Sequence, residues 1–213
     1  VHAAATHVGR VRHSNQDDYG STEGLCVLAD GMGGHRGGEV AAALAVSTTL
    51  AHFDGSSRIG LVRAVVSANR AILQRSVSDE NLLGMGTTIS AVAAVVGESG
   101  LDGLAVVNVG DSRVYRYSRG GLTQVTDDHS LVADLVRAGE LTAEEAARHP
   151  QRNILTRALG IEDDLVVDTW ELLPVVGDRY LLCSDGLFNE LTDGRITEIL
   201  GKCADPIRAA NEL

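Results

Sequence analysis

Apolar segments of strand length stand in neighbouring groups along this chain, and segments of helical length stand in pairs between them. That order constrains the fold more than any single residue. Strict alternation of strand and helix would build a parallel sheet, whereas clustered strands join into antiparallel sheets that helix pairs must cover. Leu25-Cys26-Val27-Leu28-Ala29 reads as a strand ending on an Asp30-Gly31 turn, and residues 37–53 and 60–77 carry apolar stripes at helical spacing. Residues 87–96 and 104–109 are β-rich and separated by the turn-like 97–100, and residues 114–118 and 122–126 flank Arg119-Gly120-Gly121 as a hairpin. A polar helical insert is expected over about 127–160, strands over 165–173 and Arg179–Cys183, and a helix over 192–200 capped by Thr192 or Asp193. The expected class is α+β, a layered sandwich of antiparallel sheets flanked by helix pairs.

The length of 213 residues, 44% of them apolar, suits one domain with a real core. Apolar runs are far too short to cross a bilayer, and His2, His7, Arg10, Arg12 and His13 break up the start where a signal peptide would lie. Cys26, Cys183 and Cys203 are scattered, which reads as buried thiols in a reducing cytoplasm. With 18 basic against 29 acidic residues the net charge is −11, which argues against nucleic acid as a partner.

Acidic residues recur at the ends of the apolar runs: Asn15-Gln16-Asp17-Asp18, Ala29-Asp30-Gly31, Gly110-Asp111-Ser112 and Ser184-Asp185-Gly186. In the last three a β-rich run delivers a lone carboxylate beside glycine, which permits close backbone approach. Oxygen donors with little nitrogen or sulfur suit a hard divalent cation. Any one Asp-Gly is a commonplace turn; the recurrence is what points to a metal centre. Ser112 and Ser184 stand in tempting turns, but neither lies in a Gly-x-Ser-x-Gly elbow, so both are expected as capping or turn hydroxyls.

In order and spacing, Arg12-His-Ser-Asn15-Gln16-Asp17, Ala29-Asp30-Gly31-Met32-Gly33-Gly34-His35, Gly84-Met85-Gly86-Thr87-Thr88, Gly110-Asp111-Ser112-Arg113 and Cys183-Ser184-Asp185-Gly186 resemble the motifs of the bacterial protein phosphatase 2C family. The resemblance runs from about Ala5 to about Leu200. It implies a central β-sandwich with two helices on each outer face, metals in a cleft at one end, and the 127–160 insert as a flap beside them. It also implies metal-dependent hydrolysis of phosphoserine and phosphothreonine on proteins, by attack of a water shared between two Mn²⁺ or Mg²⁺ ions. Asp30 matches the carboxylate bridging both ions, with the Gly31 carbonyl completing the second; Asp185 matches a ligand of the first. Asp17 matches a further metal-site acid, Asp111 the ligand of a third ion shared with Asp185, and Arg12 the phosphate-binding arginine, whose planar fork suits two oxygens at once. Phosphorylated proteins and the Ser/Thr kinases that make them are the implied partners, with the chain acting as a cytoplasmic monomer.

Two positions depart from the family. Met32 stands where some members carry a histidine proposed to protonate the leaving oxygen, which leaves the general acid unassigned, with His35 near by. Gln16 stands where glutamate is common. Family members also end on a Gly-x-Asp-Asn motif entering a last strand; no acid after Asp185 fits it, so a domain lacking its C-terminal strand is expected. Two other readings stay open. A pseudophosphatase would bind a partner without turnover, although Asp30 and Asp185 are intact. A nucleotide-binding module would use residues 31–38 as a phosphate loop, without the Gly-Lys-Ser/Thr ending of a P-loop.

Overall fold

A computed structural model describes residues 1–10, 14–33, 37–55, 57–96 and 102–213. Strands β1 (Asp17–Thr22) and β2 (Leu25–Met32) open the fold, followed by helices α1 (Gly37–His52) and α2 (Arg58–Ser78) and a 3₁₀ turn at Glu80–Leu82. Then come β3 (Gly86–Thr87), β4 (Ile89–Val96), β5 (Asp102–Val109), β6 (Arg113–Ser118) and β7 (Gly121–Gln124). Short helices α3 (Leu131–Arg137) and α4 (Ala143–Ala147) lead to β8 (Asp168–Leu172) and β9 (Arg179–Cys183), and α5 (Asp185–Phe188), α6 (Asp193–Lys202) and α7 (Pro206–Glu212) follow. The first sheet has the order β1-β2-β4-β5-β8 with β3 paired to β2, the second the order β7-β6-β9. Every pairing is antiparallel.

Period-2 burial explains the layering. In β2, Leu25, Val27 and Ala29 are buried and share a core with Ala41, Ala45 and Val46 of α1 and Leu61, Val65 and Ile72 of α2. Ala105, Val107 and Val109 of β5 join the same core, whereas Val106, on the opposite pleat, meets Val92 and Val114 between the sheets. A third cluster, Ile196, Ile199 and Leu200 of α6 with Cys203 and Ala209, covers the outer face of the second sheet through Tyr117, Leu122 and Leu181. The layers therefore run helix pair, sheet, sheet, helix pair, as the order of segments led us to expect. No helix among the described residues is long and apolar enough to cross a membrane.

Local chemistry accounts for most boundaries. Ser57 caps α2 by accepting from Gly60 N–H, and Thr192 caps α6 by accepting from Arg195 N–H. At the tip of the β6–β7 hairpin Arg119 (φ 50°) and Gly120 (φ 84°) both take positive φ, the geometry whose twist matches the flanking strands. The 97–100 turn lies outside the described residues. Only 168–172 of the expected 165–173 strand joins the ladder with β5. The insert holds just two short helices before residues 148–167 run on without helix or strand.

A buried side chain of α2 helps tether that irregular stretch. Asn69 of α2, fully buried, accepts from Gly160 N–H (2.7 Å) and donates to the Glu162 carbonyl (2.8 Å). Asn69→Ala would leave a buried amide unsatisfied, and we expect about 1–3 kcal/mol less stability. Urea denaturation checks this; an unchanged midpoint would show that residues 160–162 do not depend on Asn69.

Candidate active site

Four half-buried aspartates meet at one end of the sandwich, two from the first sheet, one from its exit and one from the second sheet. Asp17 opens β1 directly opposite Asp30 in β2. Like charges facing across a ladder are destabilising, so this pairing needs compensation. The strand does not stop at Ala29 as the sequence suggested. Gly31 and Met32 still pair with Thr87 and Gly86, so Asp30 sits inside a strand and not on a turn. Its backbone is held on both sides: its N–H donates to Thr88 Oγ1 (2.9 Å), and its carbonyl accepts from Thr88 N–H and Thr87 Oγ1 (both 2.9 Å).

Gly31 is buried against the first turn of α1, where a Cβ would lie 2.1 Å from the Gly38 carbonyl oxygen. Asp111 follows Gly110, whose φ of 104° and approach to Thr88 (2.6 Å from a Cβ to Cγ2) both require glycine. The buried Ser112 hydroxyl then meets Thr88 Oγ1 at 2.8 Å. Asp185 is the first residue of α5, a second departure from the expected turn. Ser184 stands at the cap position of that helix but makes no capping bond; its hydroxyl donates instead to Asp17 Oδ2 (2.7 Å), from the second sheet to the first. Arg113 holds α5 in place: its guanidinium stacks on Phe188, 3.7 Å from the ring centroid, and forks onto Asp128 (Nη2 to Oδ2, 2.7 Å).

The electrostatics carry the assignment. Burial and then the charges of Asp17 and Asp185, with a hydrogen bond shared with Asp17 and the charge of Asp111, push the Asp30 carboxyl well above the usual carboxylate range. Burial, then Asp185 and Asp128, raise Asp111 to about 6. None of the four aspartates is ion-paired among the described residues. Buried acids that resist ionisation, as Asp30 and Asp111 do, suit a bound cation. Among the described residues no three acid, histidine or cysteine side chains form a single chelate. Asp30, Asp111 and Asp185 instead border a cleft of about 740 Å³, together with Gln16 and Gly31. All-oxygen donors standing apart fit hard ions that complete their shells with carbonyls and water.

Met32 also lines the cleft and offers no proton. The far wall is residues 153, 155–158, 161, 162 and 164–166. The structure thus gathers Asp17, Asp30, Gly31, Asp111 and Asp185, while Arg12 and His35 lie outside the described residues. Sequence reading missed the supporting residues Thr88 and His129. The Thr87-Thr88 pair was visible as part of a motif, but nothing in the sequence said that its hydroxyls would hold Asp30.

Carboxylates converging at the seam of an αββα sandwich define a cation-dependent hydrolase, and the chain belongs to the protein phosphatase 2C family, whose family model matches residues 6–211. It is 41% identical over 205 residues to the serine/threonine phosphatase Stp of Listeria monocytogenes serotype 4b, covering 90% of this chain and 79% of that one. The crystal structure of the Mycobacterium tuberculosis serine/threonine phosphatase PstP/Ppp superposes with a TM-score of 0.87 at 39% identity, over 99% of this chain and 88% of that one. A catalytic-domain structure of PstP in complex with 2 manganese ions superposes at 0.84 with 37% identity, over 99% and 87% of the two chains.

Proposed function

We propose that this chain hydrolyses phosphoserine and phosphothreonine esters on proteins, using Mn²⁺ or Mg²⁺ held by Asp17, Asp30, Gly31, Asp111 and Asp185. The observation that carries the reading is the meeting of Asp17, Asp30, Asp111 and Asp185 at one end of the two sheets, where burial and neighbouring charge hold Asp30 and Asp111 above the usual carboxylate range. The manganese ions of the PstP structure, on the same fold, support the choice of ion. When bound, the ions offset the negative charge of the cleft and make water acidic enough to react near neutral pH.

The chain's own residues do the positioning. Asp30, the Gly31 carbonyl and Asp185 would hold the two principal ions. Asp17, fixed by Ser184, would serve directly or through water, and Asp111 with Asp185 would hold a third ion. Arg12 grips two phosphate oxygens and orients the ester for in-line attack. No serine or cysteine nucleophile is needed. The insert at 127–160 acts as a flap of this single catalytic domain, beside the entering protein. Substrates are proteins phosphorylated by Ser/Thr kinases, met by a monomer in the cytoplasm.

The test is phosphate release from a phosphothreonine peptide. Release is expected with Mn²⁺ and lost with chelator; chelator-resistant release would overturn the reading, and absence of release under any metal would favour a pseudophosphatase. Arg12→Ala should lower kcat/KM roughly 10- to 100-fold, the worth of a charge-assisted hydrogen bond, while calorimetric Mn²⁺ binding stays near wild type. An unchanged kcat/KM would remove Arg12 from the site.

A further inference from the structure

His129 is among the largest fully buried side chains, only 1% exposed, yet no step proposed above uses it. Both of its ring nitrogens are bonded. Gly110 N–H donates to Nδ1 (3.1 Å), and Nε2 lies 3.0 Å from Asp168 Oδ2. An amide N–H can only donate, so Nδ1 carries no proton and Nε2–H is the donor to Asp168; the bonding pattern sets the tautomer. The backbone adds to this: His129 N–H donates to the Gly110 carbonyl at 3.0 Å. One residue thus holds both polar groups of Gly110, the glycine immediately before Asp111.

The second face of this residue points at the cleft wall. The other Asp168 oxygen accepts from Arg157 Nη1 (2.6 Å), and Arg157 lines the cleft. The His129 carbonyl accepts from Thr156 N–H (2.9 Å). Wall and turn are therefore joined through His129, by its ring and by its backbone.

We propose that His129 is a positioning residue that fixes the Asp111 carboxylate for cation binding, by holding the Gly110 amide on Nδ1 while Asp168 keeps the proton on Nε2. The proposal rests on the reading of Asp111 as a cation ligand. It goes beyond that reading in naming what aims the ligand, and in tying its aim to Arg157 in the wall. Outer partners of metal ligands act in this way: they cost no coordination bond when lost, but the ligand loses its orientation.

Two substitutions separate the ring nitrogens. His129→Asn leaves a carbonyl oxygen near the Nδ1 position, able to accept from Gly110, and gives up Asp168. His129→Gln leaves an amide N–H near the Nε2 position, able to reach Asp168, and gives up Gly110. Calorimetric titration with Mn²⁺ alone reads binding without turnover, and Asp111→Asn identifies which class of sites depends on Asp111. That class is expected to weaken about 10-fold or more in His129→Gln, and to stay within about threefold of wild type in His129→Asn. Sites that survive Asp111→Asn are expected to be unchanged in both. Equal loss across all sites in both variants would mean a general structural role and overturn the proposal, as would wild-type binding in His129→Gln. If Asp111→Asn itself removes no Mn²⁺ site, the reading of Asp111 fails and the proposal falls with it, a result distinct from either His129 outcome. Imidazole nitrogen NMR of the wild-type protein needs no variant to fold: a proton on Nε2 and none on Nδ1 is expected, and a protonated Nδ1 overturns the proposal.

Discussion

Asp30→Asn is expected to lower kcat at least a hundredfold while making the metal-free protein more stable. The first half follows from position: Asp30 is the carboxylate that feels the other three, and losing its charge removes more than the roughly 10- to 100-fold that an outer partner of a ligand is worth. The second half follows from linkage. Burial and the neighbouring acids raise the folded-state pKa of Asp30 above its unfolded value. Between the ordinary aspartate value and the raised one, the folded state holds the extra proton, so metal-free stability falls as pH rises through that window. An asparagine has no proton to lose and escapes the penalty. Thermal melts of the chelated protein at neutral pH, beside steady-state kinetics in Mn²⁺, measure both. Retained turnover would end the assignment of Asp30, and a destabilised variant would show that its carboxylate is held by a partner and not strained by its neighbours.

Gly31→Ala is expected to be the most damaging change at the site that touches no charge. A Cβ at this position would lie 2.1 Å from the Gly38 carbonyl oxygen, 2.4 Å from its carbon and 2.8 Å from the Gln16 carbonyl oxygen. All three are backbone atoms, so no rotamer change relieves the contact. Gly38 is glycine for the same reason, since its own Cβ would meet the Gly31 carbonyl carbon at 2.8 Å. Either α1 lifts from the sheet or the strand bends away, and overpacking of this kind costs about 1–3 kcal/mol or more. Because the displaced backbone carries the Gly31 carbonyl next to Asp30, turnover should fall with stability, and added Mn²⁺ should not restore it. Wild-type melting and kcat in Gly31→Ala would show that the two glycines are not in contact.

What the sequence disclosed about this protein was periodicity and carboxylates. The alternation in Leu25-Cys26-Val27-Leu28-Ala29 and the grouping of strands led to the layered sandwich, and the Asp-Gly recurrences led to Asp30, Asp111 and Asp185. Where reading failed, long-range partners decided. Asp30 stays in a strand because Gly31 and Met32 find ladder partners more than fifty residues away in Thr87 and Gly86. Ser184 abandons its local capping role because Asp17, 167 positions distant, offers a charged acceptor. His129 read as one residue of a polar insert, and only the return of β8 beside β5 supplies the Asp168 that orients its ring. Local pattern predicts elements; which polar groups meet is set by topology.

The seam between the sheets gives the site a mechanical meaning. Apolar packing between the sheets is centred on a small cluster, Val92, Val106 and Val114, while the first sheet is far more heavily packed against α1 and α2. At the catalytic end the two halves face each other with acids, and Ser184 to Asp17 is a direct bond across. Cations seated there would act as rivets between two otherwise separately cored halves. Their binding adds stability at the joint where it is thinnest, about 2.7 kcal/mol at a hundredfold excess over Kd. Starved of metal, such a molecule should loosen first by the sheets parting at one end, so that the pool of available Mn²⁺ governs how long the folded enzyme persists as well as how fast it works.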